Sequence, residues 1–150
     1  MIGFWNDGIL VLELTEKYAE PPINWLNARI RAQTGREDAV FPAEILPPTG
    51  LIAFRRHPSG KEILCGAAYL YLERNTSIAV CGHLVTSGRN TPFESMRAAK
   101  SLVAEMPGYA KTLGAKHLLT TFGNRRINDY LDSQGFVTGD RTVEHKYKLL

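Results

Sequence analysis

The run Glu62–Glu73, EILCGAAYLYLE, is apolar on both of the faces a strand would have: Ile63, Cys65, Ala67, Tyr69 and Tyr71 alternate with Leu64, Gly66, Ala68, Leu70 and Leu72. Successive side chains of a strand point to opposite faces. A strand apolar on both must be covered on both, so this run belongs at the centre of a sheet with other elements packed above and below it. Its neighbours in sequence fix its neighbours in space. LIAFRRH (51–57) leads into it through the turn HPSGK, and IAVCGHLVTS (78–87) leaves it through RNTS. Short connections rich in Gly, Pro, Asn and Ser join antiparallel strands, so residues 51–87 read as three consecutive antiparallel strands. Folding the second hairpin about Asn75 and Thr76 sets Cys65 near Thr86 and Cys81 near Leu70. The two thiols are then not opposite each other, and the expectation is a pair of buried free cysteines in a reducing compartment.

The rest of the chain supplies the covering layers. GILVLEL (8–14) reads as a first strand. Pro21 and Pro22 precede INWLNARIRAQ, where Ile23, Leu26, Ile30 and Gln33 share one helical face and Gly35 suits a stop. TGREDAVFPAEILPPTG has three prolines and no period; it reads as a loop carrying a short helical turn, able to gate a site if it moves. A long helix is predicted over 92–113 with Met96, Ala99, Lys100, Val103 and Met106 on one stripe. Pro107 and Gly108 should interrupt or kink it, and Gly114 should end it. HLLTTF (117–122) reads as a strand of the buried kind, GNRRINDYLDSQGF as a short helix closed by Gly135, and VTG and TVEHKYKLL as strand material.

The chain has 150 residues, 44% of them apolar, which suits a single domain over 1–150 that needs neither disulfide nor structural metal. No apolar run approaches the ~20 residues of a membrane span, and MIGFWNDG lacks the basic start of a signal peptide; the expected location is cytoplasmic. The formal charge of +3 is spread over Arg29, Arg31, Arg55, Arg56, Arg89, Arg97, Lys100, Arg125 and Arg126. That favours an anionic ligand and does not point to nucleic acid. His57, His117 and His145 lack a metal-ligand spacing. Phe4, Trp5, Trp25, Tyr69 and Tyr71 read as core packing more readily than as a stacking platform for bases.

The order strand, helix, three antiparallel strands, long helix, strand, short helix, terminal strands resembles the GNAT family of N-acetyltransferases from end to end. Local matches are Asn124, Ile127, Tyr130, Leu131 and the terminal Gly135-Phe136, and, more weakly, the glycine-containing strand ILCGAAYLYL. The resemblance implies an α/β fold with a mixed, mostly antiparallel central sheet flanked by helices. It also implies acetyl-CoA or another acyl-CoA as cofactor and direct attack by an amine of unspecified kind, small molecule or protein. Leu84, Val85 and Thr86 would offer backbone groups to the pantetheine arm. Arg89, Asn90 and Thr91, at the start of the long helix, would hold the pyrophosphate, with Asn124 completing the cofactor set, because free amides at a helix N-terminus attract anions. VEHKYKLL could pair between two copies as a homodimer.

The departures from the family pattern are as informative. Pro92 and Glu94 stand where the pyrophosphate loop has glycines; Pro92 has no N–H, and Glu94 adds negative charge. Thr91 and Glu94 have the spacing of a reciprocal capping box, which implies a helix start that satisfies its own donors. The competing reading is therefore a non-catalytic binding or assembly module that has lost the CoA site. For catalysis, His83, alternating with Cys81 and Val85, is the candidate general base, with Glu73 at the hairpin edge as the alternative. The position of the family's acidic tyrosine holds Leu131, with Tyr130 one residue earlier and about 100° away around the helix. Tyr130 is the candidate acid, and water or the ammonium product is its alternative.

Overall fold

The computed structural model describes residues 2–139. Six strands form one sheet: β1 (Trp5–Asn6), β2 (Ile9–Glu13), β3 (Gly50–Arg56), β4 (Glu62–Leu72), β5 (Ile78–Thr86) and β6 (His117–Thr120). They are ordered as they occur in the chain, antiparallel throughout except for the parallel pair β5–β6. Helices α1 (Glu20–Thr34), α2 (Pro92–Thr112) and α3 (Arg125–Ser133) complete the domain, with single helical turns at Glu16–Tyr18 and Ala43–Ile45. The turn at Ala43–Ile45 is the one expected within the proline-rich connection. The proposed terminal strand over 142–150, and with it the dimer pairing, lies outside the described residues; VTG (137–139) is not strand.

β4 is central, as its two apolar faces require. On one side α2 lays Ala98, Leu102, Met106, Tyr109 and Ala110 against Ile9, Val11, Leu51, Ala53, Cys65, Leu70 and Cys81. Contact is close because Gly66 has no side chain: a Cβ there would stand 3.1 Å from Leu102 Cδ1 and 3.4 Å from Ala98 Cβ. On the other side α1 and the 35–49 connection cover Leu10, Ile52, Phe54, Ala67, Tyr69 and Val85 with Leu26, Phe41, Leu46 and other apolar groups. α1 buries a narrower stripe than its spacing predicted: Leu26 is buried, Ile23 and Ile30 half-buried, and Gln33 exposed. α3 seats Ile127 and Leu131 on Ala99 and Val103 of α2.

Helix boundaries follow their signals. Gly35 takes a left-handed conformation (φ 68°) after α1, and Asn124 caps α3 by accepting from Ile127 N–H at 3.2 Å. Gly114 (φ 91°) and Gly135 (φ 87°) end α2 and α3, where Ala115 N–H bonds Ala110 O and Phe136 N–H bonds Leu131 O; non-glycine residues adopt such angles only at a cost. Four expectations are corrected. α2 is not interrupted at Pro107, which stands on the exposed side of the helix. β6 is not the buried strand its apolar run suggested, since Leu119 is 53% exposed and β6 is the sheet's edge among the described residues. A two-residue Asp7-Gly8 turn, both residues at positive φ, forms an unforeseen hairpin between β1 and β2; Asp-Gly is a strong signal for such a turn. Finally, the regular alternation read for β4 and β5 is broken by two bulges.

Candidate active site

The first bulge shifts the β3–β4 register between Ala53 and Phe54. It turns Cys65 to the α2 side with Leu70, away from Ala67 and Tyr69. The second lies in β5. Leu70 pairs with Cys81 as the hairpin arithmetic gave, but Gly66, not Cys65, pairs with Thr86, because β5 contains one residue more than β4 between Tyr69↔Gly82 and Ala67↔Val85. His83 sits in that bulge with φ 53°, and a bulge both bends a strand and re-aims its side chains. His83 therefore does not share a face with Cys81: Cys81 is buried under α2, while the His83 ring packs edge-on against Phe41 (5.2 Å) and Tyr71 (5.8 Å) on the α1 side. Asn27 Oδ1 holds the Phe41 N–H at 2.7 Å, which ties the 35–49 connection to α1 beside the imidazole.

Beyond the bulge the sheet narrows, because β6 ends at Thr120. β5 and β6 pair over Ile78–Cys81 and His117–Thr120; from Gly82 to Thr86 no strand among the described residues lies on the β6 side of β5. Leu84 turns its side chain toward the α2–α3 layer and Val85 turns the other way. From α1, Arg29 Nη2 donates to the Leu84 carbonyl, and partial burial lowers the Arg29 pKa. No local motif announces Arg29; only the packing of α1 over β5 brings it to the Leu84 carbonyl.

A short connection after the end of β5 leads to the α2 N-terminus. Thr91 is its cap, with Oγ1 accepting from Glu94 N–H at 3.2 Å. The capping box is only half formed. The Glu94 carboxylate receives the Thr91 hydroxyl (3.2 Å), not the Thr91 amide, and turns inward to Arg55, whose Nε lies 2.7 Å from Oε2. The Arg55 Nε–H itself is directed at Asn90 Oδ1 (3.2 Å), and Asn90 Nδ2 donates to Cys65 O at 2.8 Å. Arg55, Asn90 and Glu94 thus form a part-buried polar network beneath the helix start. Pro92 has no N–H and that of Glu94 is taken by Thr91, so the first turn presents only the amides of Thr91 and Phe93 outward. The Arg89 side chain is exposed beside them. Arg97 and Lys100, counted among the basic residues that favour an anionic ligand, point elsewhere. Arg97 packs over Phe93 (5.4 Å) and lies 3.5 Å from Asp7 Oδ2, against Gly8, where a Cβ would be 2.4 Å from its Nη2.

Tyr130 lies with Lys100, whose Nζ is 5.4 Å from the ring centroid, along a groove of about 360 Å³ between α2 and the β1–β2 hairpin. Leu131 is buried against Val103. Asn124 spends its side-chain oxygen on the α3 cap. Cys65 and Cys81 are free and fully buried, and burial pushes both thiols up to about 12. A second cavity, of about 470 Å³, opens on the α1 side, with Tyr69 in its wall.

No protein-family model matches the sequence, and no curated protein does. Solved structures of similar architecture do match. An aminoglycoside acetyltransferase from an uncultured soil metagenomic sample superposes with a TM-score of 0.64 at 13% identity, over 96% of this chain and 98% of the other. A probable acetyltransferase gives 0.62 at 12% identity, over 93% and 97%. An acetyltransferase from Streptococcus agalactiae gives 0.58 at 16% identity, over 96% and 93%. At these identities the likeness is one of fold, and function has to be argued from the site.

Proposed function

We propose that this chain, whose fold is that of the GNAT acetyltransferases, is an acyl-CoA-dependent N-acyltransferase that passes an acetyl or other acyl group directly to an amine. One observation carries the proposal. β6 ends at Thr120, opposite Cys81, so among the described residues Gly82–Thr86 has no strand on the β6 side, and of its carbonyls that of Leu84 is held by Arg29. Unpaired backbone groups along a sheet edge suit an extended, amide-containing arm such as pantetheine, and a sheet that gained nothing from the opening would pair them.

An acyl-CoA supplies an activated thioester carbonyl; the chain's own residues supply the rest. Backbone N–H groups of Leu84 to Thr86 would bind the arm and polarise the carbonyl oxygen. His83 would accept the proton of the amine, either directly or through water. Tyr130 is retained as a donor to the departing thiolate, with water or the ammonium product as the competing source. The phosphates would rest on the amides of Thr91 and Phe93 and on Arg89. Glu94 opposes them less than its sequence position suggested, because Arg55 at 2.7 Å neutralises it from below.

The second reading, a binding or assembly module that has lost the cofactor, is favoured by the same helix start. Asn90 is committed to Cys65 O and Arg55, and two of the first-turn N–H groups are missing or used. Titrating CoA and acetyl-CoA calorimetrically at low and moderate salt decides between the two. Saturable binding that weakens with salt is expected; no heat and no rise in Tm at millimolar ligand would leave only the module reading.

A further inference from the structure

Beyond its bulge, β5 has one carbonyl that is already taken. Ser87 N–H bonds Cys65 O of β4 at 3.0 Å. Successive peptide groups of a strand point to opposite sides, so the Val85 N–H, two residues earlier, also points at β4, in keeping with the pairs Ala67↔Val85 and Gly66↔Thr86. In a trans peptide the carbonyl stands opposite the N–H. The Leu84 carbonyl is therefore turned away from β4 and, by the same alternation, so is the Thr86 N–H, toward the side on which β6 has ended at Thr120. These two groups, one acceptor and one donor, are what an extended, amide-containing arm would pair with if it added to the sheet as a strand does. The acceptor is held by Arg29 Nη2 of α1, 55 residues away in sequence. That hold is releasable. Arg29 is exposed, so its side chain can swing off the carbonyl without uncovering the core, while the part-buried tie from Asn27 Oδ1 to Phe41 N–H, 2.7 Å, keeps α1 fastened nearby. A hydrogen bond from a guanidinium to a carbonyl is stronger than one from a neutral amide. An arm that displaces Arg29 thus exchanges a stronger bond for a weaker one.

We infer that Arg29 is a built-in competitor of the acyl-CoA arm: it holds the Leu84 carbonyl until pantetheine displaces it, and so lowers the cofactor affinity of the natural chain. The inference rests on the acyltransferase reading for the identity of the arm and adds a regulating residue to the same stretch of β5. Calorimetric titration of the full chain, wild type and Arg29→Met, with separate parts of the cofactor locates the effect. CoA has both arm and phosphates, pantetheine has the arm without the nucleotide, and adenosine 3′,5′-bisphosphate has phosphates without the arm. Arg29→Met keeps an aliphatic stem and removes the donors. It should bind CoA and pantetheine about tenfold more tightly than the wild type, the worth of one charge-assisted hydrogen bond, and the bisphosphate no more tightly. Arg29→Ala should act in the same direction, and Arg29→Lys, which keeps a charged donor, should stay close to the wild type; circular dichroism follows the fold of each. If Arg29→Met and Arg29→Ala bind CoA only as well as the wild type or more weakly, the inference is overturned and the acyltransferase reading stands. A bisphosphate gain equal to that for CoA also overturns it, because the effect would then lie at the phosphates. Failure of wild type and variants alike to bind CoA sinks the acyltransferase reading and this inference with it.

Discussion

At the scale of single residues, the start of α2 shows how a sequence motif acquires a different partner in three dimensions. The Thr91/Glu94 spacing is legible in the sequence and half of it is used: Thr91 caps the helix. The other half went to Arg55, a residue on β3 that no local pattern connects to Glu94. The order of two mutational costs follows. Thr91→Ala should destabilise the domain by about 1 kcal/mol, the usual worth of a cap. Glu94→Ala should cost more, about 1.5–3 kcal/mol, because it strands Arg55, whose side chain is only 18% exposed, without its counter-charge. Urea denaturation of the two variants checks this, and equal costs would mean that the ion pair contributes nothing. The cysteines give a second prediction. Their folded pKa values, about 12, lie above the ordinary 9.0, so between these values the native state holds protons that the unfolded chain releases. Stability is then complete below pH 9 and falls as pH rises toward 12. Cys65→Ala/Cys81→Ala should flatten that slope without removing it, since Tyr69, raised from 10.0 to about 12, titrates in the upper part of the same window. In native protein both thiols should react slowly with alkylating reagents.

At the scale of elements, the order and nearly all the boundaries were legible because they rest on local signals: the doubly apolar β4, the turns on either side, the caps Thr91 and Asn124, and the glycines that end each helix. The bulges were not. Alternation has a period of two, and one extra residue reverses every face beyond it; nothing in IAVCGHLVTS marks where that residue falls, so His83 was aligned with the buried Cys81 when it stands on the opposite side. The bulge has a testable signature in its left-handed residue. Asn tolerates that conformation and a β-branched residue does not. Thermal melts should therefore rank His83→Asn above His83→Val, with Val costing about 1–3 kcal/mol more. On the acyltransferase reading proposed above, both variants should lose acyl transfer, because both lose the imidazole. A simpler check bears on α2, which passes through an exposed Gly108. A Cβ there meets nothing within 4 Å, so Gly108→Ala should raise stability by about 0.5–1 kcal/mol through helix propensity alone.

At the scale of the whole molecule, the question is whether a GNAT-like sheet with a self-satisfied helix start binds an acyl-CoA, and the answer turns on the balance of charge beneath α2. In the wild type, Arg55 spends its charge on Glu94, Asn90 is anchored to Cys65 O, and the phosphates are left with Arg89 and two amides. Replacing Pro92 and Glu94 together by glycine changes all of this at once. It adds an N–H at position 92, frees the amide at 94 from a like charge beside it, and releases Arg55 to a new anion. Thr91 remains to compete for the amide at 94, and two glycines raise the entropy of the unfolded loop, so the variant should be less stable than the wild type when no ligand is present. In CoA it should recover. One or two additional charge-assisted hydrogen bonds, each worth about 1.5–3 kcal/mol before these costs, should tighten CoA at least tenfold and make its affinity more sensitive to salt, since more of the binding is then between charges. Calorimetric titration of both proteins at two salt concentrations measures this directly. Binding that appears only in the glycine variant would identify the natural chain as a module that has lost its cofactor. Wild-type binding that the substitutions weaken would mean that Glu94 and Arg55 together shape the phosphate site, and that the network beneath α2 supports the anion it seemed to replace.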